Sequence, residues 1–278
     1  EYSTMEKDST HSPMSLVTTN SEPINFEQEG DFYALDDRGI SLATATKFGV
    51  RSTRGSDGKV VKHIYPYYAE MEVIGTKTRV VGSKDFYSKG NLKEAGLFGE
   101  QLFKGGGKYI TVVEGECDAM AAYEMLGSKW PVVSIRSGAQ SAERDIKNSI
   151  EFLESFDNVI ICFDADKAGR EAAKRAARLL KPSKAKIMSL PEGFKDPNEM
   201  LAKHQQSGYV KYWWEAKTYT PSGVVNVSEN LSKFIKREKK ESIPYPWEGL
   251  NNKLEGLRQG ELVLLTGGTG LGKSSVTR

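Results

Sequence analysis

Cysteine is nearly absent from this chain: Cys117 and Cys162 are the only two in 278 residues, and neither has a second thiol at zinc-ligand or redox spacing. A disulfide framework and a cysteine-based zinc site are therefore excluded, and both thiols are expected to be small packing residues. Long apolar runs are missing as well. Nothing approaches the roughly 18 apolar residues of a spanning helix, and residues 1–20 lack the charged, apolar, small-residue order of a secretory signal. The expectation is a soluble, cytoplasmic protein with no membrane partner. Charge of one sign is scarce too: 39 Lys and Arg stand against 37 Asp and Glu, so a nucleic-acid surface has to come from local clusters. What the chain does have is enough apolar residue, 38%, to build a core. It opens on Glu1 and stops just past a glycine-rich motif, and both ends are expected to be cuts.

Residues 1–30 are rich in Ser, Thr, Glu and Pro with little apolar periodicity. That composition cannot bury enough surface to offset its ordering entropy and reads as a linker. Residues 31–108 read as a small α+β subdomain, with a helix capped at Ser41 and strand-like runs over 60–68 and 77–81. From 109 to 216 short apolar runs alternate with helical patterns, the signature of an α/β parallel sheet with flanking helices. Strands are expected over 109–113, 131–135, 158–163 and 186–190, with helices over 117–126, 141–155 and 167–180. Right-handed crossovers would bring the strand carboxyl ends to one edge, where such sheets place their sites. Residues 217–244 read as a second linker carrying one charged amphipathic helix over 227–241, either a spacer or an arm that docks on a neighbouring subunit. Residues 245–278 restart regular structure with a strand over 261–266.

Acidic residues fall where the expected strands end. The first delivers Glu114-Gly115-Glu116-Cys117-Asp118, the third Asp164-Ala165-Asp166, and Asp196 follows the fourth. Single carboxylates before helices would serve as caps. Several converging on one edge repel one another by several kcal/mol in a partly desolvated cleft unless a cation sits among them. Hard oxygen ligands of this kind suit magnesium or manganese, which bind through few carboxylates, several waters and substrate phosphates.

Together with Ser137-Gly-Ala139 and Lys195-Asp-Pro-Asn-Glu199, these acidic segments resemble, in order and spacing, the motifs of the primase branch of the Toprim domain. The resemblance implies that Glu114 acts in proton transfer with Asp164 and Asp166 as catalytic partners. It also implies that Glu114, Asp164, Asp166 and Asp196 are the candidate ligands of Mg2+ or Mn2+. The subdomain before the sheet carries Lys77, Arg79, Lys84, Lys89 and Lys93 interleaved with Tyr65, Tyr67, Tyr68, Phe86 and Tyr87. Basic side chains neutralise phosphate and aromatic faces stack bases, as binding of single-stranded nucleic acid needs, although a solvated hairpin would show the same composition. Through Lys84-Asp-Phe86 and Leu97-Phe-Gly99 this region resembles the amino-terminal part of phage primases, which implies that Lys84, with Lys77 and Arg79, contacts template or nucleotide.

Gly267-Gly268-Thr269-Gly270-Leu271-Gly272-Lys273-Ser274 fits the Walker A spacing after an expected strand. Backbone amides of such a turn cradle the phosphates of ATP, Lys273 reaches the terminal ones and Ser274 binds magnesium. Only Ser275 to Arg278 follow, so no ATP hydrolysis is expected from this chain. The approach, Pro246-Trp-Glu-Gly-Leu250 to Gly256-Leu-Arg-Gln-Gly260, resembles the entry to ring helicases of the DnaB class. In the order seen here the two motif sets resemble the phage-type bifunctional DNA primase and helicase family, which includes the mitochondrial replicative helicase. The resemblance implies a Toprim primase module preceded by a small α+β subdomain and followed by the first strand and phosphate loop of a truncated RecA-like domain. It further implies ribonucleoside triphosphates as substrates, a single-stranded DNA template, a homo-hexameric parent that unwinds DNA, a DNA polymerase at the replication fork as partner, and the cytoplasm of a phage-infected host as location. The rival readings are a helicase whose Toprim module only holds single strands, and a nuclease or topoisomerase use of Toprim. Whether Glu116 and Asp118 hold metal or only order the turn is open at this point. A ligand role predicts that Asp118→Ala raises the magnesium requirement of the reaction, and an unchanged metal titration would assign Asp118 to the turn.

Overall fold

A computed structural model describes residues 29–83, 85–221 and 241–277. The linker expected over 1–30 (all but its last two residues), the helix expected over 227–241 (all but its last residue) and Lys84 lie outside the described residues. The chain divides into two compact units, Glu1–Ser222 and Gly223–Arg278.

The first unit holds two sheets. An antiparallel sheet runs β1 (Arg51–Arg54), β2 (Val60–Ala69), β3 (Glu72–Val80) and β4 (Phe86–Gly90) in sequence order, and is preceded by α1 (Leu42–Lys47). The α1 helix starts where expected because the Ser41 hydroxyl accepts from the Thr44 amide at 3.3 Å, an N-cap bond. The second sheet contains β5 (Gly107–Val113), β6 (Val132–Ser134), β7 (Phe156–Cys162), β8 (Ala185–Ile187) and β9 (Lys217–Thr218) in the order β6-β5-β7-β8-β9. The first four of these pair in parallel and β9 closes the edge antiparallel.

Parallel strands covered on both faces need apolar side chains at every position rather than alternate ones. Along β7 and just past it, Val159, Ile161 and Phe163 enter one core cluster while Ile160 and Cys162 enter the other. The first cluster packs under α3 (Ala142–Asn148), α4 (Ile150–Glu154) and α5 (Lys167–Ala177), whose inward residues Ala172, Ala173, Ala176 and Ala177 let the helix lie close to the strands. On the opposite face lie α2 (Glu116–Met125), α6 (Pro197–Ala202) and α7 (Gln206–Trp214), in one cluster with Leu35, Phe48, Tyr65, Tyr67 and Phe98 of the preceding segment. The small antiparallel sheet and the parallel sheet thus share a core. The segment between them is tied to the β6 edge by a backbone bridge, in which Phe98 and Ser134 exchange amide-to-carbonyl bonds of 2.9 and 3.1 Å.

One buried ion pair fastens this junction. Arg136, just past β6, and Asp145 of α3 are 2% and 0% exposed. The guanidinium donates through Nε and Nη2 to Asp145 Oδ1 at 3.1 and 2.7 Å, while Nη1 donates to the carbonyls of Leu92, Lys93 and Ala95 at 2.7, 2.7 and 2.6 Å. Asp145 Oδ2 accepts from the Arg136 amide at 2.8 Å and from Ser141 Oγ at 2.9 Å.

Several expectations are corrected. The helix expected over 141–155 breaks at Ser149, whose hydroxyl donates to Glu100 Oε2 at 2.6 Å and whose backbone leaves the helical region. β6 and β8 are shorter than expected, β8 ending at Ile187 and not at 190, whereas β5 and β7 each start two residues earlier; α6 and α7 were not anticipated. The strand expected over 261–266 does not form. In the second unit Ser242–Ile243 pairs with Leu257–Arg258 beside a helix over Glu248–Leu254, but Leu262, Val263, Leu264 and Leu265 are 86, 51, 78 and 49% exposed. An extended apolar segment becomes a strand only by pairing, and none of the described residues pairs with it.

Breaking a buried pair leaves an uncompensated charge, so Asp145→Ala is expected to cost about 3–5 kcal/mol in urea unfolding. Arg136→Lys should also destabilise, because one ammonium cannot serve three carbonyls and a carboxylate together. A loss below about 1 kcal/mol for Asp145→Ala would show that the pair contributes no more than a surface bridge.

Candidate active site

The three central strands end in register, with Val113 opposite both Ser134 and Cys162. Glu114, the loop Arg136–Ser137–Gly138–Ala139 and Asp164 therefore leave the sheet at one edge. Glu114 turns toward the loop and does not cap α2, whose N-cap is Gly115 without any side-chain bond. Its Oε1 accepts from the Ala139 amide at 3.1 Å, and Gly138 makes the approach possible with a φ of 72° that other residues rarely adopt. Glu114 Oε2 is buried and has no hydrogen-bond partner. Burial, followed by the charge of Asp164, pushes the Glu114 carboxyl above the usual range; the Ala139 and Asp164 amides oppose the shift, and Asp166 adds to it.

Asp164 is partly buried at the end of β7, and its backbone is pressed against α5. A Cβ at Gly169 would stand 2.3 Å from the Asp164 carbonyl oxygen, so only glycine fits there. Asp164 Oδ2 pairs with Lys195 Nζ at 2.8 Å. Burial raises its pKa, Lys195 opposes the shift, and Asp196 and Asp166 add to it. Asp166 and Asp196 do act as N-caps, accepting from the Gly169 and Glu199 amides at 2.8 Å each with one oxygen. Pro197 occupies the first position of α6, where its missing amide proton costs nothing.

Asp118, one turn into α2, folds back over Gly115 and accepts from the Asn198 amide at 3.1 Å. Burial first, then Asp196 and Asp164, push its carboxyl well above the ordinary range. Glu116 points away from the edge into the junction, accepting from Tyr67 Oη at 2.6 Å and pairing with Lys77 at 2.8 Å. Among the described residues no three His, Cys, Asp or Glu side chains form a ready-made metal cage. The donors nevertheless fit a small hard divalent ion held largely by water and phosphate: they are carboxylates, they raise one another's pKa, and one buried oxygen lacks a partner.

The cationic side chains are placed less uniformly than their sequence suggests. Lys77 is 18% exposed in its side chain, tied to Glu116 and to the Arg136 carbonyl at 3.2 Å. Arg79 lies opposite Phe86 in the β3–β4 register and stacks on it at 5.4 Å, with Lys77 over the same ring at 4.9 Å. Phe86 and Tyr87 are each 47% exposed, with Lys62 over the Tyr87 ring at 5.6 Å. Tyr65 and Tyr67, read from the sequence as possible base-stacking rings, are instead core residues at 1% exposure, bonded to Cys117 and Glu116. Sequence reasoning also missed Arg136, Lys195 and Asn198 as individual actors, although each stands inside a motif it singled out. In the second unit the glycine-rich loop 267–274 turns with positive φ at Gly270 and Gly272 ahead of a short helix, Lys273–Val276. Lys273 Nζ there donates to the Gly267 and Gly268 carbonyls at 2.9 and 2.8 Å.

Residues 111–201 match the model of the Toprim-like family. The chain is 32% identical over 275 residues to a DNA helicase/primase of Enterobacteria phage T3, covering 94% of this chain and 47% of that protein. It is 28% identical over 154 residues to a DNA primase of Salmonella typhimurium, of which it covers 25%. The chain thus spans about half the length of the phage relative and about a quarter of the bacterial one. In structure it resembles the primase fragment of the bacteriophage T7 primase-helicase protein, with a TM-score of 0.60 and 33% identity over 67% of this chain and 75% of that one. It also resembles the T7 primase domain seen with an RNA/DNA hybrid, dTTP and the lagging-strand DNA polymerase, with a TM-score of 0.61 and 32% identity over 68% of this chain and 94% of that one.

Because its folded-state pKa is raised, Glu114 favours the fold when protonated, and that contribution is lost as pH rises through the shifted value. Glu114→Gln, which keeps the acceptor for Ala139, is therefore expected to raise the melting temperature of the metal-free protein at neutral pH by roughly 1–4 °C. It should leave melting near pH 4 almost unchanged. Melts in a chelator test this, and a lower Tm in the variant would mean that the carboxylate has a purely structural use.

Proposed function

This chain belongs to the phage-type DNA primase/helicase family, and from that premise we propose that its acidic edge joins ribonucleotides into short primers on single-stranded DNA. The observation that carries the reading is the convergence of Glu114 and Asp164 from adjacent in-register strands, with Glu114 Oε2 buried and unpartnered. Glu114, Asp164, Asp166 and Asp196 would hold a magnesium or manganese ion. When bound, that ion supplies the charge that lowers the pKa of the primer 3′ hydroxyl, orients the triphosphate and neutralises the departing pyrophosphate. Glu114, at the edge where the hydroxyl would stand, is assigned the uptake of the hydroxyl proton. Asp166 and Asp196 each spend one oxygen on a helix cap, which fixes the carboxylate and leaves the second oxygen for the ion. No protein nucleophile is required.

Lys77 and Arg79, with Phe86 packed against both, form the wall that receives phosphate and base of the template or incoming nucleotide, and Lys84 is assigned the same partner. In the second unit the loop from Gly267 to Ser274 is assigned to ATP phosphates, with Lys273 exchanging its two carbonyl partners for them. We assign to the whole protein a homo-hexameric state, NTP-driven unwinding and a fork DNA polymerase as partner.

The test is incorporation of labelled ribonucleotides on single-stranded DNA with magnesium or manganese, with and without a supplied short primer. The wild-type chain is expected to give metal-dependent products. Asp164→Ala combined with Asp166→Ala should lower them by at least about 100-fold, the size of lost charge stabilisation at a reacting centre. No extension of a supplied primer, with single strands still bound, would favour the reading in which the module only holds DNA.

A further inference from the structure

The residue at this edge with the least settled role is Lys195. Its backbone is pinned from both sides: the carbonyl accepts from the Ala165 amide at 2.7 Å, and its own amide donates to Glu199 Oε2 at 2.8 Å. Glu199 in turn donates its amide to Asp196, which closes a reciprocal cap around the start of α6. The side chain has the opposite character. It is 60% exposed, and its ammonium reaches across to the 14% exposed side chain of Asp164. Asp164 is its direct partner, and the charges of Asp196 and Asp166 act on it as well. A cation is thus already paired with one of the four carboxylates assigned to a divalent ion, on an exposed side chain whose backbone is held at both its amide and its carbonyl.

A divalent ion on Asp164 and the Lys195 ammonium on its Oδ2 would stand a few ångströms apart. Like charges a few ångströms apart repel strongly in a half-buried cleft, and a lysine stem has the rotamer freedom to withdraw. A lysine displaced from this position needs another anion, and the reaction brings a nucleoside triphosphate to the metal that displaced it. From this geometry, and resting on the metal-dependent reading above, we infer that Lys195 is a cation surrogate. It neutralises Asp164 until a divalent ion is taken up, and then turns to the triphosphate of the incoming nucleotide. Lys195 is therefore an internal competitor of the ion and a ligand of the nucleotide, two roles that pull one substitution in opposite directions.

The experiment measures Mn2+ binding through the electron paramagnetic resonance signal of the free ion, and then ATP binding at saturating Mn2+. A Lys273→Ala background keeps the glycine-rich loop from contributing. Lys195→Gln is expected to bind Mn2+ roughly three- to tenfold tighter, the scale of a partly screened ion pair, and to bind Mn2+-ATP more weakly than the parent by a similar factor. Lys195→Arg should keep parental values. Lys181→Gln, which removes the same charge from the exposed pair with Glu154, should change neither. Unchanged or weaker Mn2+ binding in Lys195→Gln, while Asp164→Asn still weakens the site, would overturn the surrogate role and leave the metal reading standing. Mn2+ binding insensitive to Asp164→Asn would overturn the metal reading and this inference with it. Tighter Mn2+ with unaltered nucleotide binding would remove the triphosphate half.

Discussion

A guanidinium that is 2% exposed and a carboxylate that is fully buried hold the two sheets of the first unit together, and the active edge depends on them. Desolvating two charges is unfavourable by several kcal/mol per ion unless hydrogen bonds replace the water. Arg136 meets that condition by taking the carbonyls of Leu92, Lys93 and Ala95, the segment that follows the antiparallel sheet, along with Asp145. The next three residues form the loop whose Ala139 amide holds Glu114. One side chain therefore fixes both the junction of the sheets and the position of the loop over the acidic edge. Lys77 reinforces the same junction from the other side, through Glu116 and the Arg136 carbonyl.

The edge itself concentrates charge that the fold neutralises only in part, through Lys195. Glu114, Asp118 and Asp164 all have their pKa raised by burial first and by neighbouring carboxylates after it. Groups in that state oppose folding at neutral pH, and a protein retains them where a reaction uses them. Helix caps limit the cost: Asp166 and Asp196 sit at the starts of α5 and α6, where amides and the helix dipole favour negative charge. Capping and ligation are not alternatives at these two positions, because each carboxylate has two oxygens and the cap takes one.

The parallel sheet was legible because strands buried on both faces show up as unbroken apolar runs, as 158–163 does, and the acidic residues were legible because they follow those runs. What was hidden depends on contacts between distant residues. Nothing in the spacing of Arg136 and Asp145 announces a buried pair that also serves carbonyls 41 to 44 residues upstream. Tyr65 and Tyr67 alternate like residues of a half-exposed hairpin, but the face they share packs on α2, so they became core. The helix break at Ser149 follows from its bond to Glu100, again a contact between segments. The apolar run after 260 misled for the reverse reason, since a strand needs a neighbour and composition cannot supply one.

That run has a consequence of its own. Leu262, Val263, Leu264 and Leu265 form an uncharged, proline-free apolar stretch, with side chains open to solvent and no strand partner among the described residues. Such a segment is a template for a second copy of itself, since backbone pairing and apolar burial both improve when two of them meet. In concentrated solution this stretch is where a second strand of its own kind can add, a contact that the nearly balanced net charge does little to oppose.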